Sequence, residues 1–217
     1  MIGSGVTFTY LHSFRDLELI LAPFTPTPAQ PKTTYIDIPG SDGQLDLTEA
    51  HGEVRYKNRD LTFVFTVAPT SEMTFDEKVT QISNALNGRK RQIILDRDPE
   101  YYWWGRLTVN EYLQDKKLKQ ITITAVVEPY KYRVAETSKT FALTETAENI
   151  YLNNGRKSVI PIIDCTADNT VIEYEGRTFT LNAGTHRLSD IMFHEGENIL
   201  TLSGSGEVTF RYREGEL

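Results

Sequence analysis

A single cysteine among 217 residues excludes an intrachain disulfide, so the fold rests on packing alone. Cys165 sits in the apolar run VIPIIDCT and reads as a small buried hydrophobe rather than a nucleophile. No apolar run approaches the roughly 20 residues of a membrane span. The opening MIGSGVTFTYLHSF lacks a basic segment followed by an apolar one, so it does not read as a secretory signal. No N-x-S/T sequon occurs. These absences point to a chain made and folded in a cytoplasm, with no membrane insertion. Basic residues are also short: the net charge is −7 and the pI about 5.2. Such a surface repels phosphate backbones, which argues against sequence-specific or tight non-specific DNA binding but is compatible with DNA passing by.

The usual signatures of catalysis and metal binding are missing too. The four histidines, His12, His51, His186 and His194, include no i,i+4 pair and no HExxH. No set of cysteines can hold zinc, and there is no GxSxG elbow. GSGEV near the C-terminus is not followed by a helical pattern, so it does not read as a phosphate loop. In LDRDPEYYWWG, Asp96 and Asp98 would share a face if both lay on one strand, and paired carboxylates beside aromatics suggest glycoside hydrolysis. Catalytic carboxylates normally converge from separate elements, however, and Asp98-Pro99 is a common turn opener. The residues alone imply no enzyme, no catalytic residues, no cofactor and no metal.

What is present is a set of folding signals. In LTFVFTV, Leu61, Phe63, Phe65 and Val67 alternate with Thr62, Val64 and Thr66, which is strand period. The period then changes. Phe75, Val79, Ile82 and Leu86 form one helical stripe, Thr74 with Glu77 fits a capping box, and Gly88 fits the stop, so a helix is expected over 74–87. The basic run NGRKRQ behind it reads most simply as a solvated helix end, with a contact for an acidic partner as the lesser reading. RQIILDRD reads as a strand. YYWWGRLTVNEYL and LKQITITAVVEPY read as a long hairpin about a polar turn at 115–117, with Ile121, Ile123, Ala125 and Val127 on one face. From about residue 140 only short strands and turn signals remain, which suits an all-β sandwich. TVIEYEGRTFTL and NILTLSGSGEVTFRYR read as hairpins there, with Tyr174, Phe179, Phe210 and Tyr212 in positions that suit a core. The expected fold is mostly β, with domains at 1–135 and 136–217.

Before the first clean strand lies an unusual connection. APFTPTPAQPKT holds four prolines and reads as extended chain. TYIDIPG is a short strand, and residues 41–60 are polar and charged. This stretch is either a flexible surface loop or an arm that grips another subunit. As an arm, it would bury Leu45 and Leu47 against a neighbour, with Asp42, Asp46, Glu49, Arg55, Lys57 and Arg59 setting register more than affinity.

IPGSDGQLDLTEAHGEVRYKNRDLTFVF, the helix, and ILDRDPEYYWWGRLTV together resemble the N-terminal domain of phage distal tail proteins, the Dit family. Pro39-Gly40, Asp42-Gly43, Asp46, Thr48, Tyr56, Arg59, Phe63, Phe65, Tyr102, Gly105-Arg106 and Glu128 to Tyr132 carry the resemblance, which covers residues 10–133. It implies an N-terminal β-sandwich or split barrel with one α-helix and a protruding arm, followed by a C-terminal galectin-like β-sandwich. It also implies a homo-hexameric ring, single or doubled, formed by lapping arms. Such a ring joins the tail tube to the adsorption apparatus, with tail tube, tape measure and receptor-binding proteins as partners and the virion tail tip as location. DNA would pass through the lumen. The alternative reading is a carbohydrate-binding module for host cell-wall sugars, carried by the C-terminal half.

Overall fold

Aromatic and β-branched side chains in alternating positions set most of this chain into strands. A computed structural model describes residues 5–50, 52–68, 71–114 and 119–217. The expected turn at 115–117 and His51 lie outside them. In chain order the elements are β1 (Val6–Phe8), β2 (Leu11–His12), β3 (Leu19–Leu21), β4 (Tyr35–Asp37), β5 (Gln44–Asp46), β6 (Arg59–Val67), α1 (Phe75–Leu86), β7 (Lys90–Leu95), β8 (Asp98–Gln114), β9 (Lys119–Val127) and β10 (Lys131–Arg133). They continue with β11 (Thr137–Ala142), β12 (Glu148–Asn154), β13 (Ile162–Cys165), β14 (Thr170–Tyr174), β15 (Arg177–Leu181), β16 (Gly184–His186), β17 (Gly196–Ser203), β18 (Glu207–Tyr212) and β19 (Gly215–Glu216). The chain divides into two units, Met1–Lys131 and Tyr132–Glu216.

The first unit is built on an antiparallel sheet ordered β2-β1-β7-β8-β9-β6-β3. Its register follows from the alternation. Leu61, Phe63 and Phe65 of β6 stand opposite Ala125, Ile123 and Ile121 of β9, and Leu107 of β8 also faces Ala125. All of these side chains are fully buried. At Gly105 the packing leaves no room for a side chain: a Cβ there would come within 2.5 Å of the Val126 carbonyl oxygen.

The helix covers this apolar face with Phe75, Ile82 and Leu86. Its capping box forms: the Glu77 amide donates to the Thr74 hydroxyl, and the Thr74 amide donates to the Glu77 carboxylate. Gly88 follows at φ +71°. The stripe has one member that the apolar pattern does not show. Lys78 is buried, and its ammonium meets Glu18 at 2.7 Å, while the Ser71 hydroxyl donates to the same carboxylate oxygen at 2.6 Å. Val79, expected in that stripe, is half-buried.

The second unit holds two four-stranded sheets, β11-β18-β13-β16 and β12-β17-β14-β15, around one shared core. Phe193 sits at its centre, with Tyr174, Phe210 and Tyr212 rings at 6.1, 6.1 and 5.2 Å. Cys165 is buried in it. Glu175-Gly176 makes the expected hairpin turn of β14 and β15, both residues at positive φ. The second expected hairpin does not form. β17 pairs with β12 and β14, whereas β18 pairs with β11 and β13. Gly204–Gly206 therefore carries the chain from one sheet to the other. Two strands around a glycine turn read alike in sequence whether they pair or cross a sandwich.

Two carboxylates illustrate how pH acts on the two units. Donation from Lys78 and Ser71 holds Glu18 below its ordinary value of 4.5. Donation from Arg211 and Thr185 holds Asp164 below 3.8. A carboxylate with a lowered folded-state pKa contributes stability above its unfolded value and loses it as pH falls through the folded one. The thermal unfolding midpoint is therefore expected to hold between pH 7 and about 5 and to fall below about pH 4.5. Glu18→Gln should flatten the acid limb of the first unit; an unchanged limb would show that this pair does not contribute.

Candidate assembly interface

The charged connection becomes a two-stranded arm. Tyr35, Ile36 and Asp37 of β4 stand opposite Asp46, Leu45 and Gln44 of β5, and Gly40 and Gly43 at φ +82° and +77° turn the chain between them. At the root, the Lys32 amide donates to the Arg55 carbonyl and the Lys57 amide to the Gln30 carbonyl. Pro31 bridges Tyr56, whose ring meets Tyr130 edge-on at 5.9 Å. Every residue from 30 to 46 is exposed. A surface loop of this length is ordinarily polar, yet this one exposes Tyr35, Ile36, Ile38 and Leu45 by roughly half each (52, 48, 47 and 47%). A two-stranded ribbon has no core of its own in which to place them.

The sequence candidates separate into groups. Asp42 and Leu45 lie at the tip, both exposed. Leu47 is half-buried, and its amide donates to the Thr34 carbonyl. Asp46 and Glu49 line a concavity of about 730 Å³ with Pro31, Thr48 and Tyr56. Asp46 also accepts from the Thr48 amide at 2.8 Å, and Thr48 holds its carboxyl below the usual 3.8. Arg55 and Lys57 are exposed on the returning segment at the root, either side of Tyr56.

Arg59 departs from the expectation of a register-setting surface charge. It opens β6, is only 7% exposed, and donates to the Thr27 carbonyl at 2.6 Å and the Pro129 carbonyl at 3.2 Å. Its guanidinium lies 5.9 Å from the Trp103 ring centroid. Its charge is spent inside its own subunit, because β6 alternation turns position 59 inward with Leu61 and Phe63. Sequence reasoning also missed Tyr35, Ile36 and Ile38. The available signal was the run Tyr35-Ile36-Asp37-Ile38, with apolar side chains on both faces of one short strand.

The carboxylates of the glycosidase reading are drawn apart. Leu95 pairs with Asp98, so Asp96 and Arg97 form the turn, and Asp98 begins the next strand. Asp96 accepts from the Gly5 amide and from His12 Nε2 at 3.0 Å. His12 Nδ1 accepts the Phe14 and Arg15 amides, so the proton resides on Nε2 and neither ring nitrogen is free. Asp98 pairs with Lys131 at 2.7 Å. Of the four neighbouring aromatics, Trp103 enters the core, while Tyr101, Tyr102 and Trp104 are half-buried. Among the described residues no group of three or more His, Cys, Asp or Glu is placed to hold a metal ion, and no helix is long and apolar enough to cross a membrane.

The family model described as the phage tail protein RIFT-related domain matches residues 6–124, from β1 into β9 and more than half of the chain. The chain belongs to this family of phage tail proteins. Among solved structures it is similar to SPP1 Dit (gp 19.1), described as a paradigm of hub adsorption apparatus in Gram-positive-infecting phages. The TM-score is 0.68 and the identity 12%, over 97% of this chain and 98% of that one. At that identity the likeness establishes the fold of both units. No curated protein sequence matches the chain.

Arg59 generates a test of the arm's root. Lys cannot stack on Trp103 and reach both carbonyls as the planar guanidinium does. Arg59→Lys is expected to cost about 1–3 kcal/mol in urea unfolding and to open residues 22–33 to limited proteolysis. An unchanged midpoint and cleavage pattern would contradict the anchoring role.

Proposed function

We propose that this chain is a structural hub protein of a bacteriophage or prophage tail tip. In this reading six copies form a ring through their arms, single or doubled, and the ring connects the tail tube to the adsorption apparatus. The observation that carries it is the arm itself: a paired ribbon with four large apolar side chains left in solvent. Membership in a phage tail family, and a fold shared with a protein described as a hub, support it. The partners are further copies of the chain, the tail tube and tape measure proteins, and receptor-binding proteins. Assembly takes place in the host cytoplasm and ends in the virion tail. The role requires neither catalysis nor a cofactor. A ring interface is heterologous, so each subunit presents one donor and one acceptor surface. Asp42, Leu45, Asp46, Leu47, Glu49, Arg55 and Lys57 belong to the donor, and Arg59 anchors it.

A second reading, sugar binding by a galectin-like C-terminal unit, has one observation in its favour. Tyr151 is 56% exposed on β12, opposite exposed Ile199 on β17. The other candidate aromatics of that unit serve its core. Glycan-array binding by the full chain, lost in Tyr151→Ala, would favour it.

The hub reading is tested by light scattering on the purified chain across concentration. A mass near six or twelve times 24.7 kDa is expected. Leu45→Asp should shift it towards the monomer without changing thermal unfolding. A monomer at every concentration, or a Leu45→Asp chain that assembles as well as the wild type, would contradict an arm-held ring.

A further inference from the structure

The first unit carries two surfaces of opposite character. Residues 33–54 include Asp37, Asp42, Asp46, Glu49 and Glu53 and no Lys or Arg. Exposed apolar side chains lie among these acids, as described above. The second surface is on the solvent side of the sheet. Lys90 stands opposite Arg106, and Arg106 opposite Val126, so two cations and a 47% exposed valine form one row across β7, β8 and β9. Trp104 lies on the same face, with the Lys90 ammonium 5.4 Å from its ring centroid. These residues, with Glu128, line a groove of about 420 Å³. Lys90 makes an exposed pair with Glu128 at 3.4 Å, the kind of pair that contributes little. Arg106 uses one guanidinium nitrogen on the Gly88 carbonyl.

We infer that this Lys90–Trp104–Arg106–Val126 groove is the acceptor for the acidic arm of a second copy of the chain. The inference rests on the reading of the arm as an intersubunit grip. The arm's carboxylates meet Lys90 and Arg106, while its aliphatic side chains cover Trp104 and Val126. Its own subunit does not supply that occupant, since residues 30–46 all remain exposed. The root also leaves from the groove's rim: Asn58, which lines the groove, directly follows Lys57. Lys32 to Gly40 can extend roughly 26 Å at about 3.3 Å per residue, enough to carry the tip onto a neighbour. Donor and acceptor are different patches, so head-to-tail docking closes a ring or runs on as a filament, whereas reciprocal exchange of two arms would stop at a two-fold dimer. Each exposed charge pair is weak, and its part is to choose the register.

The test uses the full chain. Lys90→Glu with Arg106→Glu should raise the dissociation constant for assembly at least about tenfold by sedimentation velocity, as should Asp42→Lys with Glu49→Lys. The four changes combined should recover assembly to within about threefold. Thermal unfolding of each variant separates lost docking from a lost fold. In a second readout, Leu45→Cys chains mixed with Val126→Cys chains should form a covalent pair with a short bismaleimide, and wild type, whose Cys165 is buried, should not. Three outcomes overturn the acceptor while leaving the arm reading standing: assembly indifferent to the Lys90 and Arg106 reversals, no recovery in the combined variant, or an assembled mixture of the Leu45→Cys and Val126→Cys chains that gives no crosslink. A wild-type chain that never assembles overturns both.

Discussion

A buried guanidinium at the first position of β6 ties four separate parts of the first unit together. Arg59 holds the carbonyl of Thr27, in the proline-rich approach to the arm, and that of Pro129, just beyond β9. It rests against Trp103 of β8. The core below it is apolar and non-directional; the guanidinium adds direction. It sets where the extended chain leaves the sheet and where the returning strand rejoins it. The arm can therefore project an exposed ribbon without loosening the unit that carries it, because the cost of ordering its root is met by hydrogen bonds and stacking inside the fold.

The sheet above that root works on both faces. Its inner face, with Phe63, Phe65, Ile121 and Ile123, is closed by α1 and contributes the stability. Its outer face is threonine-rich and carries the Lys90, Trp104 and Arg106 cluster at one end. On the proposed reading, one ladder thus supplies both the rigidity of a ring subunit and the surface on which the next subunit's arm rests. The second unit is a sandwich with its own core.

Much of this was legible from period and punctuation. The alternation of 61–67 and 121–127, the helical stripe of α1 with its Thr74–Glu77 box, and the glycine stop at Gly88 are local signals, and local physics realises them. The features that local signals do not reveal share a different cause. Lys78 lies on the apolar stripe at position i+3 from Phe75, but its burial depends on Glu18, 60 residues away. Arg59 looks like one more arm charge until strand register turns it inward. Asp96 and Asp98 share a face only if the strand continues, and a two-residue turn intervenes. β17 and β18 flank a glycine turn that hairpins and sandwich crossings both use. The position of the arm was readable, as an acidic connection too long and too polar to be core. Its apolar content at Tyr35, Ile36 and Ile38 acquires meaning only once their exposure is known.

The central claim is that the exposed ribbon of the arm, beyond its root, is covered by a neighbour rather than by its own subunit. Hydrogen exchange of the backbone amides, followed by mass spectrometry in dilute and in assembled samples, tests it most directly. Exposed ribbon amides exchange fast unless covered, whereas core ladders exchange only on deeper opening. The account predicts that peptides from residues 31–49 exchange rapidly on dilution and become protected on assembly, while β6 and β9 stay protected throughout. Arm peptides that exchange equally fast in both samples would contradict it.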